Sequence, residues 1–89
     1  MDATEDRHAH SPRSMRVVLG ITQAALASEA GISIPTLADL EAGDLSAQIA
    51  TVEKVAGALT HLGFPVTASG YIAAMERERA RRAGAGSAA

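Results

Sequence analysis

The amino-acid sequence predicts an all-α domain, and three observations on residues 21–43 carry that prediction. Thr22 and Ser33 each precede a run of helix-forming residues, and both residue types are good helix N-caps. Gly31 and Gly43 each follow such a run and can adopt the left-handed backbone that ends a helix. We therefore expect two short helices joined by a tight turn. The apolar residues spaced to form their shared core are Leu26, Ala27, Ala30, Ile32, Leu37 and Leu40.

Before this pair, the sequence predicts an N-terminal arm and one further helix. Residues 1–10 mix acidic residues, arginine and histidine without apolar periodicity, so we interpret them as a flexible arm. Ser11 is a suitable N-cap and Pro12 suits the first helical position, which predicts a helix over residues 12–19 that Gly20 ends. The side chains expected to face the core are Met15, Val18 and Leu19.

The central pair is predicted to span residues 23–30 and 34–42, and Pro35 fits because it lies in the first turn of its helix. Residues 44–48 are then a connecting loop, and a fourth helix follows over residues 50–61. The apolar stripe expected to pack this fourth helix against the others consists of Ile49, Val52, Val55, Ala56 and Leu59.

After Gly63 the character of the chain changes. We place a helical domain over residues 11–62, an extension over residues 63–83 and a flexible tail over residues 84–89. The segment 63–68 has bulky residues in alternation and fits either a short strand or a loop that leads to another helix.

A fifth helix is predicted over residues 71–83, with Ser69 as a candidate N-cap. Glu78 and Arg82 are four residues apart and are expected to form an ion pair on one helix face. A charge run of this kind usually marks a solvated face, although it can also bind a DNA backbone or an acidic partner. The large apolar side chains expected to hold this helix are Tyr71, Ile72 and Met75, and its arginines are Arg77, Arg79, Arg81 and Arg82.

The composition narrows the functional classes. The chain has 89 residues, enough for one domain, and no cysteine, which excludes disulfides and thiolate metal sites. No apolar run approaches the ~18 residues that a membrane span needs, and the N-terminus lacks the apolar region of a signal peptide. We expect a soluble cytoplasmic protein. We treat His8 and His10 as incidental and expect no metal site, no cofactor and no enzyme activity, because no catalytic motif is present.

The charge distribution is unusual for a nucleic-acid-binding protein. The net charge is −2, and residues 15–63 carry five acidic residues against Arg16 and Lys54. Nucleic-acid-binding modules usually present a basic face instead. Most of the positive charge lies in the predicted fifth helix.

Residues 13–59 resemble the Cro/C1-type (XRE) family of helix-turn-helix regulators, whose lambda-repressor-like fold has four or five helices. The resemblance is ungapped and includes the glycines at both helix ends. A fold can be reused, so the resemblance predicts the architecture more strongly than the function. The matching positions are Gly20, Thr22, Gln23, Leu26, Ala27, residues 30–33, Thr36, Leu37, Leu40, Glu41, Gly43, Thr51, Lys54, Val55, Ala56, Ala58 and Leu59.

The resemblance also implies functional roles. The third helix is expected to enter the major groove of double-stranded DNA, while the amino end of the second helix meets a phosphate. An ion pair is expected between Arg16 on the first helix and Glu41 on the third. The residues expected to contact DNA are Thr22, Gln23, Ser33, Ile34, Pro35, Thr36, Asp39 and Ser46.

We therefore expect a homodimeric, sequence-specific transcriptional regulator, either a repressor or an antitoxin that represses its own operon. A weaker resemblance to antitoxins of the HipB kind implies that residues 63–68 are strands paired across a dimer axis, and that a cognate toxin is a partner. The alternative is a protein-interaction module that uses the helix-turn-helix without binding DNA strongly. The acidic residues Asp39 and Asp44 favour this alternative.

Overall fold

The computed structural model describes residues 10–88, with side chains over residues 10–84, and these residues form five helices and no strand. The predicted all-α fold is confirmed, whereas the predicted arm over residues 1–10 lies outside the described residues apart from His10. In chain order the helices are α1 (Pro12–Val18), α2 (Gln23–Ala30), α3 (Ile34–Glu41), α4 (Ile49–Leu62) and α5 (Ala68–Ala88).

The first three helices begin where local side-chain chemistry predicts. The hydroxyl groups of Ser11, Thr22 and Ser33 each accept a hydrogen bond from the backbone N–H three residues further on, at 3.1, 3.1 and 3.2 Å. Each bond satisfies one of the backbone donors that a helix leaves unpaired at its amino end. These caps fix the starts of α1, α2 and α3 independently of tertiary packing.

The core lies between α2, α4 and α5, with α1 and α3 packed around them. The predicted stripe of α4 is buried from Val52 onward, whereas Ile49, at the first residue of that helix, is 56% exposed. Val18 was also expected in the core, and its 60% exposure shows that this prediction is wrong. The inward face of α1 runs through Pro12, Met15 and Leu19, which leaves Val18 outside that stripe. The fully buried large side chains are Tyr71, Leu26, Leu37, Leu40, Leu59, Met75, Val55 and Pro12.

Of the two alternatives for residues 63–68, the structure has the loop that leads to the fifth helix, and the strand is absent. The Thr60 hydroxyl donates to the carbonyl oxygen of Val66 at 3.0 Å and accepts from its N–H at 3.1 Å. The Phe64 N–H donates to the Leu59 carbonyl at 2.8 Å. Because these backbone groups bond within the chain, they are not available to a partner strand.

Helix α5 is longer than predicted at both ends. Thr67, not Ser69, caps it, since the Thr67 hydroxyl accepts from the N–H of Gly70 at 3.0 Å. The helix continues to Ala88, through the segment expected to be a flexible tail from Gly84, because no proline interrupts it. Within the described part of the chain, no helix combines the length and apolar character needed to cross a membrane.

Gly43 allows α5 to pass close to the end of α3. Gly43 is buried, and its φ angle of +86° lies in the left-handed region. A Cβ at this position would lie 2.8 Å from the carbonyl oxygen of Met75 and 2.9 Å from the backbone nitrogen of Arg79. Both atoms belong to the backbone of α5, so a side chain here would force the two helices apart.

We predict that Gly43→Ala lowers the free energy of unfolding by roughly 2–4 kcal/mol, because backbone strain adds to overlap with rigid backbone. Two matched variants separate these causes in urea unfolding. Gly31 has a φ of +73°, and a Cβ added there would meet open space. Gly31→Ala should therefore lower the free energy of unfolding by only about 1 kcal/mol. Gly57 lies inside α4, and a Cβ added there would also meet open space. Gly57→Ala should therefore raise the free energy of unfolding by about 0.5–1 kcal/mol. If Gly43→Ala and Gly31→Ala lower the free energy of unfolding equally, the close approach of α5 to Gly43 is contradicted.

Candidate nucleic-acid interface

The amino end of α3 is exposed, and it presents an apolar side chain beside a hydroxyl group. Ile34 is 47% exposed, Ser33 and Pro35 are exposed, and Thr36 is half-buried. The Ser33 hydroxyl donates to the Thr36 hydroxyl oxygen at 2.8 Å and accepts the Thr36 N–H at 3.2 Å. This pattern leaves the Thr36 hydroxyl proton available for an external acceptor. Ile34 offers the kind of apolar contact that a thymine methyl group accepts in the major groove.

Asp39 lies on the same face of α3, one turn after Pro35, and is exposed. It has no ion-pair partner among residues 10–84. A carboxylate only accepts hydrogen bonds, so the base edge it suits is the cytosine amino group, and it repels phosphates. A nucleic acid bound at this face would therefore meet a negative charge that restricts the base edges it can present and that opposes its phosphates.

The amino end of α2 supplies backbone donors. Thr22 caps this eight-residue helix by accepting from the N–H of Ala25, while the N–H groups of Gln23 and Ala24 have no partner within the described residues. Unpaired N–H groups and the positive end of the helix dipole favour an anion such as a phosphate at this position. Thr22 and Gln23 are therefore placed in the way that a phosphate contact requires.

An ion pair between Arg16 and Glu41 joins α1 to α3, as the family resemblance implies. The Nε of Arg16 lies 2.6 Å from Glu41 Oε2, and its Nη2 donates to Oε1 at 3.1 Å. The third arm of the guanidinium, Nη1, donates to the carbonyl of Ile21 at 2.9 Å. The side chains are only 11% and 5% exposed. The hydrogen bonds that Arg16 donates to Glu41 raise the pKa of Arg16 above its usual value, against the opposing effect of burial.

Gln23 brings α2 into the same network. Its side-chain amide donates to Glu41 Oε1 at 3.0 Å, so the start of α2 is held at the carboxyl end of α3. Since α3 has eight residues, the two candidate contact regions are separated by about 12 Å along that helix. The side-chain amide of Gln23 therefore positions Glu41, while the backbone N–H of Gln23 has no partner within the described residues.

Tyr71 of α5 lies beside this network, which the sequence did not indicate. Its phenol is fully buried, and its hydroxyl has no hydrogen-bond partner among the described residues. Burial raises the pKa of Tyr71 far above its usual value; the Glu41 charge raises it further, and the Arg16 charge lowers it. The phenol is therefore neutral at physiological pH, and it lies close enough to the Arg16–Glu41 pair to experience both charges.

Ser46 was expected to donate to a phosphate, but its hydroxyl is engaged within the loop between α3 and α4. It donates to Asp44 Oδ1 at 2.6 Å, and its N–H donates to the same oxygen at 3.0 Å. These bonds lower the pKa of Asp44, so its carboxylate is ionised at neutral pH. The loop consequently presents a negative charge where a basic residue would attract a phosphate.

Comparison with known proteins gives one match. A family model described as helix-turn-helix matches residues 13–60, more than half of the chain. No curated protein and no solved structure matches significantly. The matched segment extends from α1 into α4 and includes both Arg16 and Glu41, together with every residue that the sequence analysis placed at DNA.

We predict that Arg16→Met lowers the free energy of unfolding by about 3–5 kcal/mol, because it leaves the Glu41 carboxylate buried without a counter-charge. The double variant Arg16→Met, Glu41→Leu removes both charges and should recover most of that loss. Urea unfolding measures both, with Lys54→Met as the control: Lys54 is exposed, so its replacement should change stability by less than about 0.5 kcal/mol. If the double variant is no more stable than Arg16→Met, the pair does not act as a unit.

Proposed function

This chain belongs to the helix-turn-helix family of DNA-binding regulators, and we propose that it is a sequence-specific transcriptional regulator that reads double-stranded DNA with the amino end of α3. The observation that carries this proposal is the exposure of Ile34 beside the available Thr36 hydroxyl proton. Base edges in the major groove offer both the thymine methyl groups that an apolar side chain such as Ile34 contacts and the acceptors that a hydroxyl proton needs.

The electrostatics indicate how such a complex would form. The proposed contact surface carries no lysine or arginine, so the backbone donors of α2 and the Thr22 and Thr36 hydroxyl groups would supply the phosphate contacts. Few counterions are then released, and we expect affinity to decline only gently as salt rises. Sequence discrimination would come from the thymine contact of Ile34 and from the rejection of acceptor groups by Asp39.

The repressor form of this function is the one we favour. A regulator of this kind acts by occupying its site on DNA. The antitoxin form, with a cognate toxin as partner, was implied by a strand over residues 63–68, and a loop with internally bonded backbone occupies that segment. We therefore propose repression of transcription without requiring a toxin.

We also propose that the protein binds DNA as a homodimer. An apolar groove of about 230 Å³ opens where the loop after α3 meets α4 and α5. Leu45 and Ile49 at this groove are 40% and 56% exposed. Because a chain of this size has a small core, leaving such apolar surface in water lowers its stability appreciably. A second copy covering them would present two α3 helices to half-sites about 34–36 Å apart.

The rival function is a protein-interaction module that does not bind DNA strongly. Asp39 is exposed on α3, and the Asp44 carboxylate is exposed in the loop that follows it. A basic partner protein would find both charges accessible. The two functions predict opposite responses when these charges are removed.

For the regulator, Asp39→Asn and Asp44→Asn should each tighten binding to the DNA upstream of the coding region by about two- to fivefold at low salt, since each removes a repulsion from phosphates. Ile34→Ala should weaken it. Fluorescence anisotropy with labelled duplex measures all three. The control is Glu29→Gln, which removes the same charge near the carboxyl end of α2 and should leave affinity unchanged. No DNA binding by the wild type or by either aspartate variant would support the interaction module instead.

For the homodimer, light scattering after size exclusion should give twice the chain mass of 9.1 kDa. Ile49→Glu should produce a monomer, because a charge at the groove opposes apolar contact with a second copy. Val18→Glu is the matched control: Val18, on α1 and outside the groove, is 60% exposed, which is close to the 56% exposure of Ile49. A monomeric wild type, or equal dissociation by both substitutions, would overturn the assignment of this face.

A further inference from the structure

A polar cleft of about 380 Å³ lies between the start of α1, the end of α3 and residues 74–82 of α5. Its volume falls within the range of small-molecule sites, roughly 300–1,000 Å³. It is distinct from the exposed amino end of α3 and from the apolar groove at Ile49. Four arginines and two carboxylates give it its charge: Arg13, Arg77, Arg81, Arg82, Glu41 and Glu78.

This cleft concentrates positive charge in an acidic chain. Four of the eight lysine and arginine residues line it, whereas the net charge of the chain is −2. Both of its carboxylates already have cationic partners, because Glu41 pairs with Arg16, and Glu78 pairs with Arg81 and Arg82. Neither carboxylate is therefore available to neutralise Arg13 or Arg77.

Glu78 fixes two of the guanidinium groups side by side. Its side chain is only 6% exposed, and its Oε2 lies 2.6 Å from both Arg81 Nη2 and Arg82 Nε. The arginine side chains remain 68% and 55% exposed, so their other N–H groups are accessible. The i,i+4 pair with Arg82 was predicted from the sequence and is confirmed. Guanidinium groups held in place in this way lose less conformational freedom when an anion binds.

A third guanidinium of α5, that of Arg77, is held by a backbone contact. Arg77 Nη2 donates to the backbone carbonyl of His10 at 2.9 Å, which ties α5 to the residue two positions before α1. Arg77 lines the cleft from α5, and Arg13 lines it from α1. The cleft thus brings together arginines from two helices that are far apart in the sequence.

We propose that this cleft binds a small organic anion with two or three carboxylate groups. All the cations are arginines, whose planar fork matches a carboxylate with two parallel hydrogen bonds. Cations from two helices suit an anion whose charges are separated, whereas a monocarboxylate would meet only one wall. The site is independent of the proposed DNA contacts, and its occupation can be measured without DNA.

The test is calorimetric titration of the full chain with citrate, acetate and inorganic phosphate at neutral pH and low salt. We expect one saturable citrate site with a dissociation constant below about 1 mM, and binding of acetate and phosphate at least about tenfold weaker. Equal affinity for citrate and phosphate would overturn the polycarboxylate assignment, and no saturable citrate binding up to about 10 mM would overturn the site itself.

Substitutions locate the binding. Arg77→Gln and Arg81→Gln should each weaken citrate binding by about tenfold, corresponding to the loss of one bidentate contact. Arg79→Gln is the matched control, because this exposed arginine on the same helix does not line the cleft. The affinity of this variant for citrate should equal that of the wild type. Far-UV circular dichroism and thermal unfolding confirm that each variant is folded. Equal losses for Arg79→Gln and Arg77→Gln would show that citrate responds only to overall charge.

Discussion

The buried ion pair between Arg16 and Glu41 is the contact on which the arrangement of the first three helices depends. Apolar packing of α1, α2 and α3 is largely non-directional, so it brings the helices together without fixing their angles. The guanidinium bonds both Glu41 oxygens and the Ile21 carbonyl, and Gln23 adds a bond from the start of α2. Because these bonds have defined directions, they set how the exposed amino end of α3 is presented.

Most of the helix boundaries could be predicted from the sequence because they are determined locally. A Ser or Thr side chain that caps its own helix, as at Ser11 or Ser33, needs only residues three positions away. The choice of face is different, since Val18 and Leu19 are equally apolar and only the position of the neighbouring helices decides which one is covered. The sequence leaves the choice between a strand and a loop after α4 open, because Thr60 bonds the backbone of Val66, a contact that no periodicity reveals.

The candidate sites were less accessible to sequence reasoning. The pairing of Arg16 with Glu41 came from resemblance to a family, not from spacing, because the two residues lie on different helices. Ser46 has a hydroxyl suited to phosphate, yet the neighbouring Asp44 accepts it. The arginine cleft could not be anticipated, since Arg13 and Arg77 become neighbours only when α5 packs against α1. Local sequence patterns therefore predict the helices, whereas the charged surfaces can be identified only once the packing of those helices is known.

We propose that the amino end of α3, held by the Arg16–Glu41 pair, meets DNA. A titration of the ¹⁵N-labelled protein with its upstream duplex at low salt, followed by amide chemical shifts, examines this surface residue by residue. If α3 contacts the duplex, the largest shift changes will occur at Ser33, Ile34 and Thr36, with a second group at Gln23 and Ala24. Unchanged shifts at these five amides, alongside changes confined to α5, would contradict it.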